Sequence, residues 1–147
     1  MTHVRPLQPD TDRAEWIRMR HALWPEVDEQ VHMREEAAQL EPVSATVFVV
    51  DRGDGKLGGF AEALIKDWAE GCFSGRVAYV EGWYVDEDLR GQGWGRALVA
   101  KIEEWARSMG CTELASDTWV DNTGSQQAHL RLGFTEYLRL THYRKDL

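Results

Sequence analysis

The sequence predicts an α/β domain: a mixed sheet with helices on its faces. Three observations carry this. Strand-length runs of β-branched and apolar residues alternate with segments of helical spacing, in the order β-α-α-β-β-β-α-β-α-β. Glycines and prolines stand at the joints between them. The length, 147 residues with 43% hydrophobic side chains and seven Trp, suits one domain (1–147) with a real core.

Each element has its own signal. His3–Leu7 reads as a first strand. Asp10, Thr11 and Asp12 offer N-caps, and Asp12 with Glu15 has the spacing of a capping box. The helix that follows runs to about Leu23, with Ala14, Ile17 and His21 on one stripe, and Pro25 ends it. A weaker helix spans about Asp28–Leu40, closed by Pro42. Ala45–Asp51 is a strand, Arg52-Gly53-Asp54-Gly55 a turn, and Lys56–Ile65 the hairpin partner. Asp67–Gly75 is a polar loop carrying Trp68, Glu70, Cys72 and Phe73. Val77–Val85 is the next strand. After Gly91–Gly95 a helix runs to about Met109, with Leu98, Ile102, Trp105, Ala106 and Met109 on one face and Gly110 as the C′ residue. Thr112–Trp119 is a strand, Asp121-Asn122-Thr123 caps a helix to about Leu132 before Gly133, and Phe134–Arg144 is a final strand.

Charge narrows the function classes. The chain has 25 acidic and 17 basic residues, a formal net charge of −8, which argues against nucleic-acid binding. All of the excess lies in residues 1–90, with 18 acids against 10 bases; residues 91–147 balance at seven and seven. A solvated surface that aids solubility is one reading. The other is a face that attracts a cationic ligand. No apolar stretch approaches the ~20 residues of a membrane span, and Met1–Pro6 has no signal-peptide core. Cys72 and Cys111 make neither a disulfide framework nor a metal cage. A cytoplasmic protein without a metal is the expectation.

The strongest local signal is Val85-Asp86-Glu87-Asp88-Leu89-Arg90-Gly91-Gln92-Gly93-Trp94-Gly95-Arg96, between a strand and a helix. Glycines there permit tight turns and close approach of backbone to ligand. The free N–H groups at the helix start favour an anion such as pyrophosphate. A P-loop needs Gly-Lys-Ser/Thr at its end, and a dinucleotide fingerprint needs Gly-x-Gly-x-x-Gly after the first strand of a parallel unit. This loop has neither.

The Arg-x-x-Gly-x-Gly of Arg90, Gly93 and Gly95, followed by Asn122 twelve residues before the Phe of Leu132-Gly133-Phe134, resembles the GNAT N-acetyltransferases. Element order resembles them along the whole chain. The resemblance implies a mostly antiparallel sheet with two splayed central strands, helices on both faces, and acetyl-CoA as acetyl donor. It implies that Trp83, Tyr84 and Val85 serve the pantetheine and thioester through their backbone. It implies that Arg90, Gly91, Gln92, Gly93, Trp94, Gly95 and Arg96 hold the pyrophosphate, with Asn122 and His129 nearby. Many members have Tyr where this chain has His129, so the general acid stays open between His129, Tyr143 and water.

The acceptor amine needs help, because freeing the lone pair of an amine of pKa ~10 costs ~4 kcal/mol at pH 7. Glu81 and Asp117, on the two central strands, are the candidate carboxylates, as catalytic or structural groups. Leu23-Trp24-Pro25, Glu81-Gly82, Ala115-Ser116-Asp117-Thr118, Gly133-Phe134-Thr135-Glu136 and Tyr143-Arg144-Lys145 resemble the aminoglycoside 6′-N-acetyltransferases. Those enzymes acetylate, and so inactivate, polycationic antibiotics, which suits an acidic face. The resemblance implies that Trp24, Glu81, Asp117 and Glu136 meet the substrate, with Asp67, Trp68 and Glu70 at its rim. It also implies a homodimer. An acetyltransferase for a polyamine or protein amine, and a non-catalytic coenzyme A-binding domain, stay open as alternatives.

Overall fold

The computed structural model describes residues 1–41 and 43–147. Pro42, expected to close the second helix, lies outside the described residues. Five strands form one sheet in the order β1-β2-β3-β4-β5: β1 (His3–Pro6), β2 (Ala45–Asp51), β3 (Leu57–Lys66), β4 (Val77–Val85) and β5 (Leu114–Ser116). The first three pairings are antiparallel and β4–β5 is parallel. The mixed, mostly antiparallel sheet matches expectation.

Alternation along the strands sorts side chains to two faces. Val47, Val49, Leu57 and Phe60 pack under α1 (Pro9–Leu23), against Trp16 and Met19. Val50, Ala61, Ala63 and Val80 pack under α3 (Trp94–Ser108), against Leu98 and Ile102. The second helix, α2 (Glu29–Gln39), is capped by Asp28, whose carboxylate accepts from Gln30 N–H, and α4 (Thr123–Arg131) by Asn122.

Helix α1 departs from expectation in two ways. It starts at Pro9, a residue suited to the first helical position, with Gln8 as its cap. Asp12 is therefore one turn inside, where it accepts from the Gln8 N–H and pairs with Arg5. The buried stripe is Asp12, Trp16, Met19 and Arg20, while Ala14 and His21 are exposed. The larger side chains take the core, and Arg20 is tolerated there because it bonds buried Glu62 on β3 and Glu35 on α2. Trp16 Nε1–H also donates to Glu62, at 2.9 Å.

The C-terminal part differs more. The strand expected at 112–119 is paired only over Leu114–Ser116, because β5 leaves β4 after Val80/Ser116. The strand expected at Phe134–Arg144 is absent from the sheet. That segment pairs with neither edge strand, β1 nor β5, and it leaves Tyr137, Leu138, Leu140 and Tyr143 exposed.

Candidate active site

Beyond Val80, β4 continues for five residues with no strand on its β5 side among the described residues. Its backbone there lines the cleft between the two parting strands. A bulge adds to this. Glu62 pairs with Gly82 and the next residue, Ala63, with Val80, so Glu81 is the extra residue of β4. Just after it, Gly82 lets the Trp24 ring lie on the strand; a Cβ at 82 would stand 2.6 Å from that ring.

Glu81, Tyr79, Lys66 and Asp117 gather beside this bulge. The Glu81 carboxylate lies 2.9 Å from Lys66 Nζ. The same ammonium sits 3.7 Å from the centre of the Tyr79 ring. Tyr79 O–H donates to Asp117 Oδ2 at 2.6 Å. Burial first, then the hydrogen bond and charge of Asp117, push the Tyr79 hydroxyl far above the ordinary phenol range, so it stays a donor. Asp117 is exposed and Glu81 half-buried, so solvent and solute can reach both. An open depression of about 530 Å³ adjoins the cluster, lined by Lys66, Asp67, Trp68 and Arg76 among others. Glu70 is exposed on the same loop. Glu113 holds that loop to the start of β5 by accepting from Phe73 and Ser74 N–H groups. Burial and Glu113 push the Cys72 thiol up, which keeps it protonated and unreactive at neutral pH.

The glycine loop lies at the far end of β4. Gly91 and Gly93 have φ of +75° and +90°, and Gly93 is the left-handed cap of α3. A side chain at either would be strained, although neither has neighbours within 4 Å of a Cβ. The N–H groups of Trp94, Gly95 and Arg96 open α3 and have no intrahelical acceptor. Together with the helix dipole they suit a phosphate. Several named residues are already engaged. Trp83 Nε1–H donates to Gly95 O, Arg90 Nε to Val85 O, Gln92 Nε2 to Asp88 O, and Arg96 to Arg131 O. Tyr84 packs against Phe60, and the Arg90 guanidinium lies over its ring. Trp94 is half-buried against the core on the α3 face.

His129 is held at both ring nitrogens. Nδ1 lies 2.7 Å from the Ser125 carbonyl, which can only accept, so Nδ1 carries the proton. Nε2 then accepts from Ser116 O–H at 2.8 Å. Trp83 and Phe134 meet the ring edge-on. Asn122 spends its carbonyl oxygen on capping α4. Tyr143 is 91% exposed. Glu136 pairs with Arg139, next to Tyr137, whose ring covers Gly71.

The structure thus brings together Glu81 and Asp117 through Lys66 and Tyr79, neither of which the sequence reading named. Tyr79 and Glu81 are two apart, and Leu64 opposite Tyr79 places Lys66 diagonally across. The Tyr79/Glu81 spacing is a signal within one strand; the register that brings Lys66 across and the bulge that aims Glu81 could not be read.

Comparison with known proteins follows the same line. The profile of the acetyltransferase (GNAT) family matches residues 13–134. An aminoglycoside N(6′)-acetyltransferase type 1 of Klebsiella aerogenes is 47% identical over 98% of this chain and 96% of its own. Its namesake in Serratia marcescens is 42% identical over 90% of this chain and 91% of its own. The solved structure of AAC(6′)-Iy, in complex with the bisubstrate analogue CoA-S-monomethyl-acetylneamine, superposes with a TM-score of 0.90. It is 33% identical and covers 100% of this chain and 99% of that one.

Proposed function

This chain belongs to the acetyltransferase (GNAT) family, and we propose that it is an aminoglycoside 6′-N-acetyltransferase that uses acetyl-CoA. The observation that carries the reading is the shared strand. β4 bears the anion loop at its end and the bulged Glu81 four residues before Val85, along the cleft where β5 departs. A thioester extended along that free edge would reach an amine held at Glu81 and Asp117.

In this reading the pyrophosphate binds the N–H groups of Gly91–Arg96, and pantetheine amides pair with β4 from Trp83 to Val85. A β4 N–H receives the thioester oxygen as it gains charge. Asp117 or Glu81, directly or through water, takes the proton of the 6′-ammonium. The amine nitrogen then bonds the acetyl carbon, the C–S bond breaks, coenzyme A leaves as thiolate or takes a proton from water, and the nitrogen gives its second proton to water as the amide forms. His129 holds α4 against β5, with its Nδ1 proton on a carbonyl. Trp24 walls the substrate side of β4, and Asp67, Trp68, Glu70 and Glu136 form the rim. Charge supports the substrate class. Half of the 18 acids of residues 1–90 are paired with Arg or Lys; the other nine, Glu26, Glu29, Asp67 and Glu70 among them, have no ion-pair partner among the described residues and can meet a polycation.

The whole chain acts as one domain, in the cytoplasm, where acetyl-CoA is available. Among the described residues no helix is long and apolar enough to cross a membrane. The exposed apolar side chains of 137–143 support a homodimer in which the C-terminal segment finds its strand partner. The test is thiol release from acetyl-CoA with kanamycin, tobramycin or spermidine. Release with the two antibiotics well above the rate with spermidine is expected; turnover of spermidine alone would reject the reading.

A further inference from the structure

The Lys66 ammonium sits in a site built for an ammonium. A carboxylate oxygen lies 2.9 Å away and an aromatic face 3.7 Å away. These groups, Glu81 and the Tyr79 ring, are what a charged amine of a substrate would seek. The site is not closed: Lys66 and Glu81 keep 38% and 32% of their side-chain exposure. The pair is therefore weak and exchangeable. Lys66 also lines the open depression that carries Asp67 and Trp68, so its four-carbon stem has space into which to swing.

We propose that Lys66 is an internal occupant of the acceptor subsite: its ammonium fills the Glu81–Tyr79 cage in the free enzyme and is displaced by an ammonium group of the substrate. The inference rests on the acceptor side being the one proposed above. It deepens that reading by naming what the substrate must exchange for. Every substrate molecule replaces one cation in the cage by another, so the cage alone contributes little net affinity. The unpaired carboxylates of the rim then decide which substrates bind, and they favour molecules with several positive charges. Lys66 acts in the free enzyme only, which separates it from the catalytic carboxylates. Its removal lowers KM and leaves kcat nearly unchanged.

The experiment compares wild type with Lys66→Met, Lys66→Arg and, as an equal change in net charge on the far face, Lys101→Met. Steady-state kinetics with tobramycin and calorimetric binding of tobramycin and spermidine are measured at fixed low salt. The expected result is a KM and a Kd lowered roughly threefold to tenfold in Lys66→Met. Its kcat stays within about twofold of wild type, and both other variants behave as wild type. A KM and Kd that are unchanged or raised in a folded Lys66→Met overturn the inference, as does an equal fall in Lys101→Met. The two failures are distinguishable. A wild type that acetylates no aminoglycoside rejects the proposed function, while the calorimetric comparison still decides whether Lys66 competes for the cage.

Discussion

The two ends of β4 are built by opposite means. The glycine-loop end is made of backbone. Its shape follows from the positive φ of Gly91 and Gly93, and the N–H groups of Trp94, Gly95 and Arg96 at the start of α3 have no intrahelical acceptor. The bulged end is made of side chains, and each reactive group already has a partner: Glu81 has Lys66, and Asp117 has Tyr79. A donor site of the first kind is preformed and recognises charge and shape. An acceptor site of the second kind binds by exchange, so its affinity is a difference between two sets of contacts.

Mutation can break this division. The largest effect is expected at the bulged end. Asp117→Ala or Glu81→Ala should lower kcat by about 10²–10⁴-fold, the range of general acid–base catalysis, while Asp67→Ala changes it little. Comparable losses at all three positions would remove the distinction between cluster and rim. Next comes Gly93→Val, which forces a β-branched residue into φ +90° at the helix cap. The strain of about 1–2 kcal/mol or more should raise the KM for acetyl-CoA by roughly tenfold and leave that for tobramycin in place. An equal rise in both would show that the two ends are coupled.

Salt gives a smaller effect. Raising ionic strength from about 0.05 to about 0.5 M shrinks the screening length several-fold. The KM for tobramycin should rise more than that for acetyl-CoA. A KM for tobramycin that ignores salt would refute the acidic-face argument. The smallest effect concerns stability at the strand end. Burial alone would raise the Asp86 carboxyl, but hydrogen bonds from Arg18 and Arg52 outweigh it and hold it below the usual range. Its contribution is therefore full above the unfolded value near ~4 and is lost as pH falls through the lower folded value. Asp86→Asn should lower Tm at pH 7 and flatten the loss of Tm between pH 4 and 2. An unchanged acid slope would assign it to other carboxylates.

Backbone-made features were the legible ones. The glycine spacing, the cap at Asn122, and the strand at Val77–Val85 follow from local chemistry that a sequence carries directly. Glu81 and Asp117 could be nominated from their strands, yet Tyr79 and Lys66, which connect them, depend on cross-strand register. The buried Arg20–Glu62 pair was hidden for the same reason: an Arg reads as surface until its partner, 42 residues away, is known. Replacing Arg20 by Met would leave Glu62 buried without its cation and should cost about 3–5 kcal/mol of stability by chemical denaturation; a loss below 1 kcal/mol would show the pair to be dispensable. The final strand failed because strand formation needs a neighbour as well as a pattern. Residues 134–144 have the pattern, but they pair with neither edge strand of this chain, β1 nor β5.

The central claim is that the amine at position 6′ is the acceptor. Neomycin and paromomycin offer the direct test, since they differ by amine against hydroxyl at that position. Thiol release from acetyl-CoA should be rapid with neomycin, with the acetyl group located on the 6′ nitrogen of the product by NMR, and should stay at background with paromomycin. Equal turnover of the two compounds would contradict the account.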